Sequence, residues 1–163
     1  MKNASLVLIL AVFILPAITF GAPAHDAGAD FTAVEGKNWF LSELKSSGKT
    51  ISIDRKRLEA DGMGSAFSIG FQKENAEYQG RVSGMGAPNR FFGPYTTGSN
   101  RSLSMGNLAS TMMAAFKEPA ELKEQEFFGF LSKVTRWDLR EGKLELYCSD
   151  SSKKEIILVF TIR

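Results

Sequence analysis

Gly84-Met85-Gly86-Ala87-Pro88-Asn89-Arg90-Phe91-Phe92-Gly93-Pro94-Tyr95 is the stretch whose reading decides the fold. Three glycines and two prolines stand among its aromatics. Glycine frees the backbone and proline fixes it, so this mixture specifies a set, non-repeating path rather than a loose linker. From Asn89 onward the chain is aromatic and extended. On an alternating strand, two of Phe91, Phe92 and Tyr95 face inward and the remaining ring is left for contact.

The flanks carry the same rhythm. Upstream, residues 39–44 and 50–54 enclose Ser46-Ser47-Gly48 and read as a hairpin. Residues 55–64 are charged and glycine-containing and read as a loop. Residues 66–71 alternate, turn near Glu74-Asn75 and return through residues 77–82. Downstream, Gly98-Ser99-Asn100 is a turn before a short strand at 102–105. Strands at 135–139 and 143–148 meet at Glu141-Gly142, and a last strand covers 155–162. One segment breaks the pattern. Pro119 is suited to a first helical position, and Leu122, Phe127, Phe130, Leu131 and Val134 recur at helical spacing. This predicts an amphipathic helix near residues 119–133 that packs on a sheet. The fold class is therefore mainly β (α+β): a small antiparallel β-barrel or a strongly curled sheet with one helix.

The first 24 residues read as a secretory signal peptide. Lys2 precedes an apolar run of about a dozen residues, too short to span a bilayer, and Gly21-Ala22-Pro23-Ala24 supplies small residues for cleavage. Cleavage is expected after Ala24, with Gly21 as second choice. No cysteine lies near that position, so the expected product is an exported, soluble protein, periplasmic or secreted, that is not a lipoprotein and has no stable membrane insertion. Residues 25–33 are small and polar and predict a flexible N-terminal arm. About 140 residues then remain, enough for one domain over 34–163. The net charge of +2 carries no basic stripe, which argues against a nucleic-acid partner.

The chain has one histidine, His25, and one cysteine, Cys148. A histidine base inside the domain, a Zn site of His/Cys type and an intramolecular disulfide all lack residues. Cys148 stands in phase with Leu144 and Leu146 and is expected to face the core as an inert thiol. Asp54, Glu59 and Asp61 alternate with Arg55, Lys56 and Arg57 and read as a solvated charged stretch. Gly62-x-Gly64 and Gly84-x-Gly86 do not lead into a helix N-terminus, where phosphate binding would need them. No catalytic residue, metal site or cofactor is expected.

The glycine-rich turn leading through Asn89-Arg90 to an aromatic, Gly93 and Tyr95 resembles the signature of the META/HslJ domain family. Residues 103–114, where a short strand runs into Thr111-Met112-Met113-Ala114, resemble its second block. Trp39-Phe40-Leu41, Leu131, Trp137 and Leu144-Glu145-Leu146 fit its remaining punctuation, so the resemblance spans about residues 34–160. Many members carry a cysteine pair where this chain has Pro88 and Ala115. The resemblance implies a small β-barrel with one helix, an envelope or secreted setting, links to stress, drug tolerance, motility or virulence, and no established catalytic residues.

Candidate binding residues are Asn89, Arg90, Phe92 and Tyr95. A structural reading has Asn89 bonding local backbone and Arg90 pinning the loop or stacking on a ring. The functional reading is a guanidinium fixed beside aromatics, suited to a carboxylate, phosphate or sugar. The leading expectation is a non-enzymatic envelope protein acting through contacts with an unknown envelope protein. The alternative is a barrel carrying a small apolar ligand or lipid.

Overall fold

A computed structural model describes residues 30–74, 80–114 and 117–163. The expected signal peptide, His25, most of the expected arm, Ala115 and part of the turn after Glu74 lie outside those residues.

Among the described residues, ten strands form one antiparallel sheet. They are β1 (Asn38–Ser46), β2 (Lys49–Ser52), β3 (Ser68–Lys73), β4 (Gly80–Met85), β5 (Arg90–Thr97), β6 (Leu103–Met105), β7 (Ala109–Ser110), β8 (Arg136–Arg140), β9 (Lys143–Ser149) and β10 (Glu155–Ile162). The order across the sheet is β6-β5-β4-β3-β1-β10-β9-β8, with β2 on β1 and β7 on β5. The two ends approach each other through a bridge between Ser102 and Arg136 and a bond from Leu103 N–H to the Thr135 carbonyl (3.0 Å). The result is a nearly closed barrel, as the alternating pattern predicts.

Two plugs fill the barrel. At one end Phe127 lies against Phe67 and Phe91, with ring centroids 5.2 and 6.1 Å apart. At the other, Phe31 lies 5.0–5.3 Å from Phe71, Tyr95 and Trp137. Phe67 and Phe71, like Phe91 and Tyr95, are four residues apart along the wall, about 13 Å in an extended chain. Each ring is buried, so the interior is a core built mainly by aromatic packing.

Three expectations change. Residues 25–33 do not all form an arm: Phe31–Ala33 make a 3-10 turn whose Phe31 is buried. The stretch 55–64 is not all loop. Arg55–Ala60 form a short helix, α1, because Asp54 Oδ1 caps Arg57 N–H (3.0 Å) and Leu58 is buried. The late helix, α2, is shorter than 119–133 and spans Glu124–Leu131. Pro119 and Leu122 are buried, yet Lys123 keeps an extended backbone (φ −83°, ψ 149°) and Glu126 Oε2 accepts from its N–H (3.2 Å), so the helix starts there.

Candidate functional site

The signature stretch divides into a locked corner and an open wall. At the corner, Asn89 uses its whole side chain on the fold. Its amide donates to the Met113 carbonyl (3.0 Å) and to Glu124 Oε2 (2.7 Å). Its oxygen accepts from Met113 N–H (2.6 Å) and Thr111 Oγ1 (2.9 Å). Glu124 Oε1 takes the backbone N–H groups of Ala87 and Asn89, both at 2.6 Å. One amide and one carboxylate thus tie the β4–β5 turn, the segment after β7 and the start of α2 together. Gly86 is required by this closeness: a Cβ there would lie 2.4 Å from Glu124 Oε1 and 2.8 Å from the Phe128 ring. The peptide between Ala87 and Pro88 is cis.

Tyr95 is also part of the interior. It is 1% exposed, and its hydroxyl donates to Glu35 Oε1 (2.5 Å). Burial, then Glu35, raises its pKa well above the usual phenol range. The four sequence candidates therefore do not form one site. Asn89 and Tyr95 are internal; Arg90 and Phe92, alternating with buried Phe91 and Tyr95, face out.

The outer wall around Arg90 and Phe92 has a definite relief. Strand register sets Phe40, Ser68, Met85 and Arg90 in one row across β1, β3, β4 and β5, and Asn38, Gly70, Ser83 and Phe92 in the next. Gln72, Arg81 and Pro94 make a third row. Ser68, Gly70 and Ser83 are short and stand among longer neighbours, which leaves a trough of about 680 Å³. On one side the Arg81 guanidinium lies over the Phe92 ring (5.0 Å), with Arg90 beside it. Neither arginine has a carboxylate partner among the described residues. On the other, Arg55 and Arg163 flank Phe40 at 5.4 and 4.7 Å. Arg163 pairs with Glu59 (2.5 Å). Arg55 donates to the Ala66 and Gly64 carbonyls (2.7 and 2.6 Å), and burial, then Arg163, lowers its pKa to about 10. It stays charged at neutral pH.

Beyond the trough's lining, the second family block runs along the free side of β5. Ala109 pairs with Phe92, and Thr111 N–H donates to the Arg90 carbonyl (3.0 Å). Met112 and Met113 follow, 98% and 62% exposed. Phe92 itself is 44% exposed. Large exposed apolar side chains beside a charged groove mark a contact surface more often than a solvated one.

A second charged cluster escaped the sequence reading. Asp138 and Glu145 sit directly opposite each other on β8 and β9 and are both buried. Arg140 Nε bridges them at 2.9 and 3.5 Å. Arg101 and Leu139 N–H complete Asp138, while Tyr147 and Lys45 complete Glu145. The signal was available: the two-residue Glu141–Gly142 turn pairs Arg140 with Lys143, and counting outward pairs Asp138 with Glu145. The chemistry is that of matched charges. Burial, then the bond to Glu145, pushes the Tyr147 pKa up to about 12, and burial pushes the Cys148 thiol up to about 12. Neither group supplies a nucleophile near neutral pH. Among the described residues no group of three or more His, Cys, Asp or Glu side chains is arranged to hold a metal ion. No helix among them is long and apolar enough to cross a membrane.

Comparison with known proteins agrees with this architecture. The solved structures similar to it include an NMR structure of a protein from Burkholderia xenovorans, 18% identical, covering 93% of this chain and 99% of that one with a TM-score of 0.61. A crystal structure of a DUF4847 family protein from Bacteroides vulgatus is 13% identical and covers 80% of this chain and 95% of that one, with a TM-score of 0.51. At these identities the likeness is one of fold. No match is found among curated proteins. The family model of the META domain matches residues 32–159, nearly all of the barrel, and the chain belongs to the META domain family.

Proposed function

We propose that this protein is an exported, non-catalytic binding domain that works in the envelope or outside the cell through contacts with another protein. The observation that carries the reading is the outer face of β4 and β5. Arg81 stacked on Phe92, Arg90 beside it and the exposed Met112–Met113 pair offer charge and apolar area together. Arg, Met and aromatic side chains are the types enriched at protein interfaces. Export rests on the N-terminal pattern of Lys2, the apolar run and the small residues to Ala24. The resemblance to the META/HslJ family supports extending this reading to a part in stress, drug tolerance or virulence. The carrier alternative gains no support, because the interior it would use holds the Phe31 and Phe127 plugs.

The test is site-specific photocrosslinking in the native host. A photoreactive residue at Phe92 should give a discrete adduct with another protein, reduced in an Arg90→Ala background. The same residue at Lys153, away from the trough, should give none. An equal adduct pattern at both positions, or none at Phe92, rejects the outer face as the working surface.

A further inference from the structure

We infer that the trough on the outer wall receives an acidic, extended segment of a partner protein. The inference rests on the contact-surface reading above and adds the chemistry of what is contacted. Its first ground is charge. Arg81 and Arg90 stand on one side of the trough without a carboxylate partner among the described residues, and Arg55 and Arg163 stand on the other. Among the described residues, Glu59, bound to Arg163, is the one carboxylate paired with any of the four. The Asp138–Glu145 cluster elsewhere on the barrel has its carboxylates matched by Arg101, Arg140 and Lys45 and has no comparable excess to offer.

The second ground is orientation. A guanidinium lying on a ring is held flat, with its N–H edge turned away from the ring and free to meet a carboxylate in a two-point bond. The Arg81 guanidinium lies over Phe92, 5.0 Å from the ring centroid, which places it for such a contact. The third is shape. From β1 to β5 the trough crosses three strand spacings, about 14 Å. An extended chain covers that span in about four residues. The floor of Ser68, Gly70 and Ser83 is shallow enough for a backbone and carries hydroxyls that can meet it.

The exposed apolar side chains select a protein over an acidic glycan. Phe92 is exposed in the trough, Met112 and Met113 are exposed on the segment that follows Thr111 at Arg90, and unbranched methionine side chains gain from covering by apolar groups rather than by hydrated sugar hydroxyls. The segment that fits therefore alternates carboxylates, for Arg81 and Arg90, with an apolar side chain, for Phe92 and the Met112–Met113 pair.

The experiment titrates the folded protein, processed by its own host, with short labelled peptides that alternate Glu with Leu. Lys–Leu peptides, Glu–Ser peptides and polygalacturonate oligomers serve as comparison probes. Saturable binding of the Glu–Leu peptide is expected, weakened about tenfold or more by Arg81→Glu with Arg90→Glu and unchanged by Lys153→Glu. The milder pair Arg81→Gln and Arg90→Gln, checked by urea midpoint, covers the case in which charge reversal disturbs folding. Glu–Ser should bind more weakly than Glu–Leu, and Lys–Leu not at all. Binding that ignores both arginine pairs overturns the site. Polygalacturonate binding in place of the peptide overturns the protein segment in favour of an acidic glycan. If no acidic probe binds while the Phe92 crosslink persists, the contact surface stands and the acidic chemistry falls; loss of both removes the whole reading.

Discussion

Asn89 and Arg90 are neighbours in one motif and end in opposite settings. Asn89 is 7% exposed and commits both ends of its amide to Met113, Thr111 and Glu124. Arg90 is exposed, and its backbone is held by Thr111 from both sides while its guanidinium has no carboxylate among the described residues. The difference teaches that a family signature does not mark a single site. Its first half fixes the corner where α2 meets the barrel. Its second half, by strand alternation, sends Phe91 and Tyr95 inward and Arg90 and Phe92 outward. Rigidity on one side is what makes precise presentation possible on the other.

Breaking the corner should have the largest effect. Asn89→Ala leaves Met113 N–H, the Met113 carbonyl and part of Glu124 unpaired in a half-buried corner, and should cost about 3 kcal/mol or more. Glu124→Ala removes the one bond the two side chains share and those to the backbone N–H groups of Ala87 and Asn89, so the double variant should lose less than the sum of the two. Urea unfolding of all three measures this. Additive losses would mean that the corner is not one network. Gly86→Ala comes next, about 1–3 kcal/mol, because its Cβ must displace Glu124 or Phe128. A neutral Gly86→Ala would show that the corner has slack.

How much of this was legible varies with where the partners lie. β9 and β10 are readable because alternation is bounded by local turns at Glu141–Gly142 and after Asp150. The outward placement of Arg90 and Phe92 is readable in the same way. The burial of Asn89 is not, since its partner Glu124 is 35 residues away, and Tyr95 meets Glu35 across 60. Phe31 looks like a lone aromatic in a polar arm, and only the meeting with Phe71, Tyr95 and Trp137 makes it a plug. The place of Arg81 over Phe92 is not readable, because it depends on the β4–β5 register that sets Arg81 opposite Pro94 and Ser83 opposite Phe92. The start of α2 was misplaced because Pro119 and Leu122 are buried as a helix would bury them, while the chain stays extended until Glu124.

Alkaline pH should sharpen the contrast between interior and wall. Cys148, Tyr147 and Tyr95 all have folded pKa values raised above their unfolded ones, and burial is the first cause in each. The unfolded chain loses these protons first, the thiol near 9 and the phenols near 10, while the native state retains them. Their contribution is complete below about pH 9 and is lost as pH rises from there toward about 12. The urea midpoint should therefore fall steadily above pH 9, and Cys148→Ser should delay the onset of the fall by about one unit. A midpoint that is flat to pH 11 would show that these groups titrate alike in both states. On the wall, Arg55, whose pKa burial and then Arg163 lower to about 10, loses its charge within this window.

The smallest effect is expected on the wall itself. Arg90→Ala should change the unfolding free energy in urea by no more than about 0.5 kcal/mol, because its side chain has no carboxylate partner among the described residues and its strand bonds come from the backbone. Arg81→Ala gives up stacking on a half-exposed ring and should cost about 0.5–1 kcal/mol. These near-null results carry weight because they separate two reasons for an arginine to stand in a family motif. If Arg90→Ala destabilised the barrel as Asn89→Ala does, the motif would be structural throughout. The trough would then be a by-product of packing and no longer a candidate for contact. If stability holds while the Phe92 crosslink fades, the same substitution shows that Arg90 acts on something outside the chain, an effect that packing does not produce.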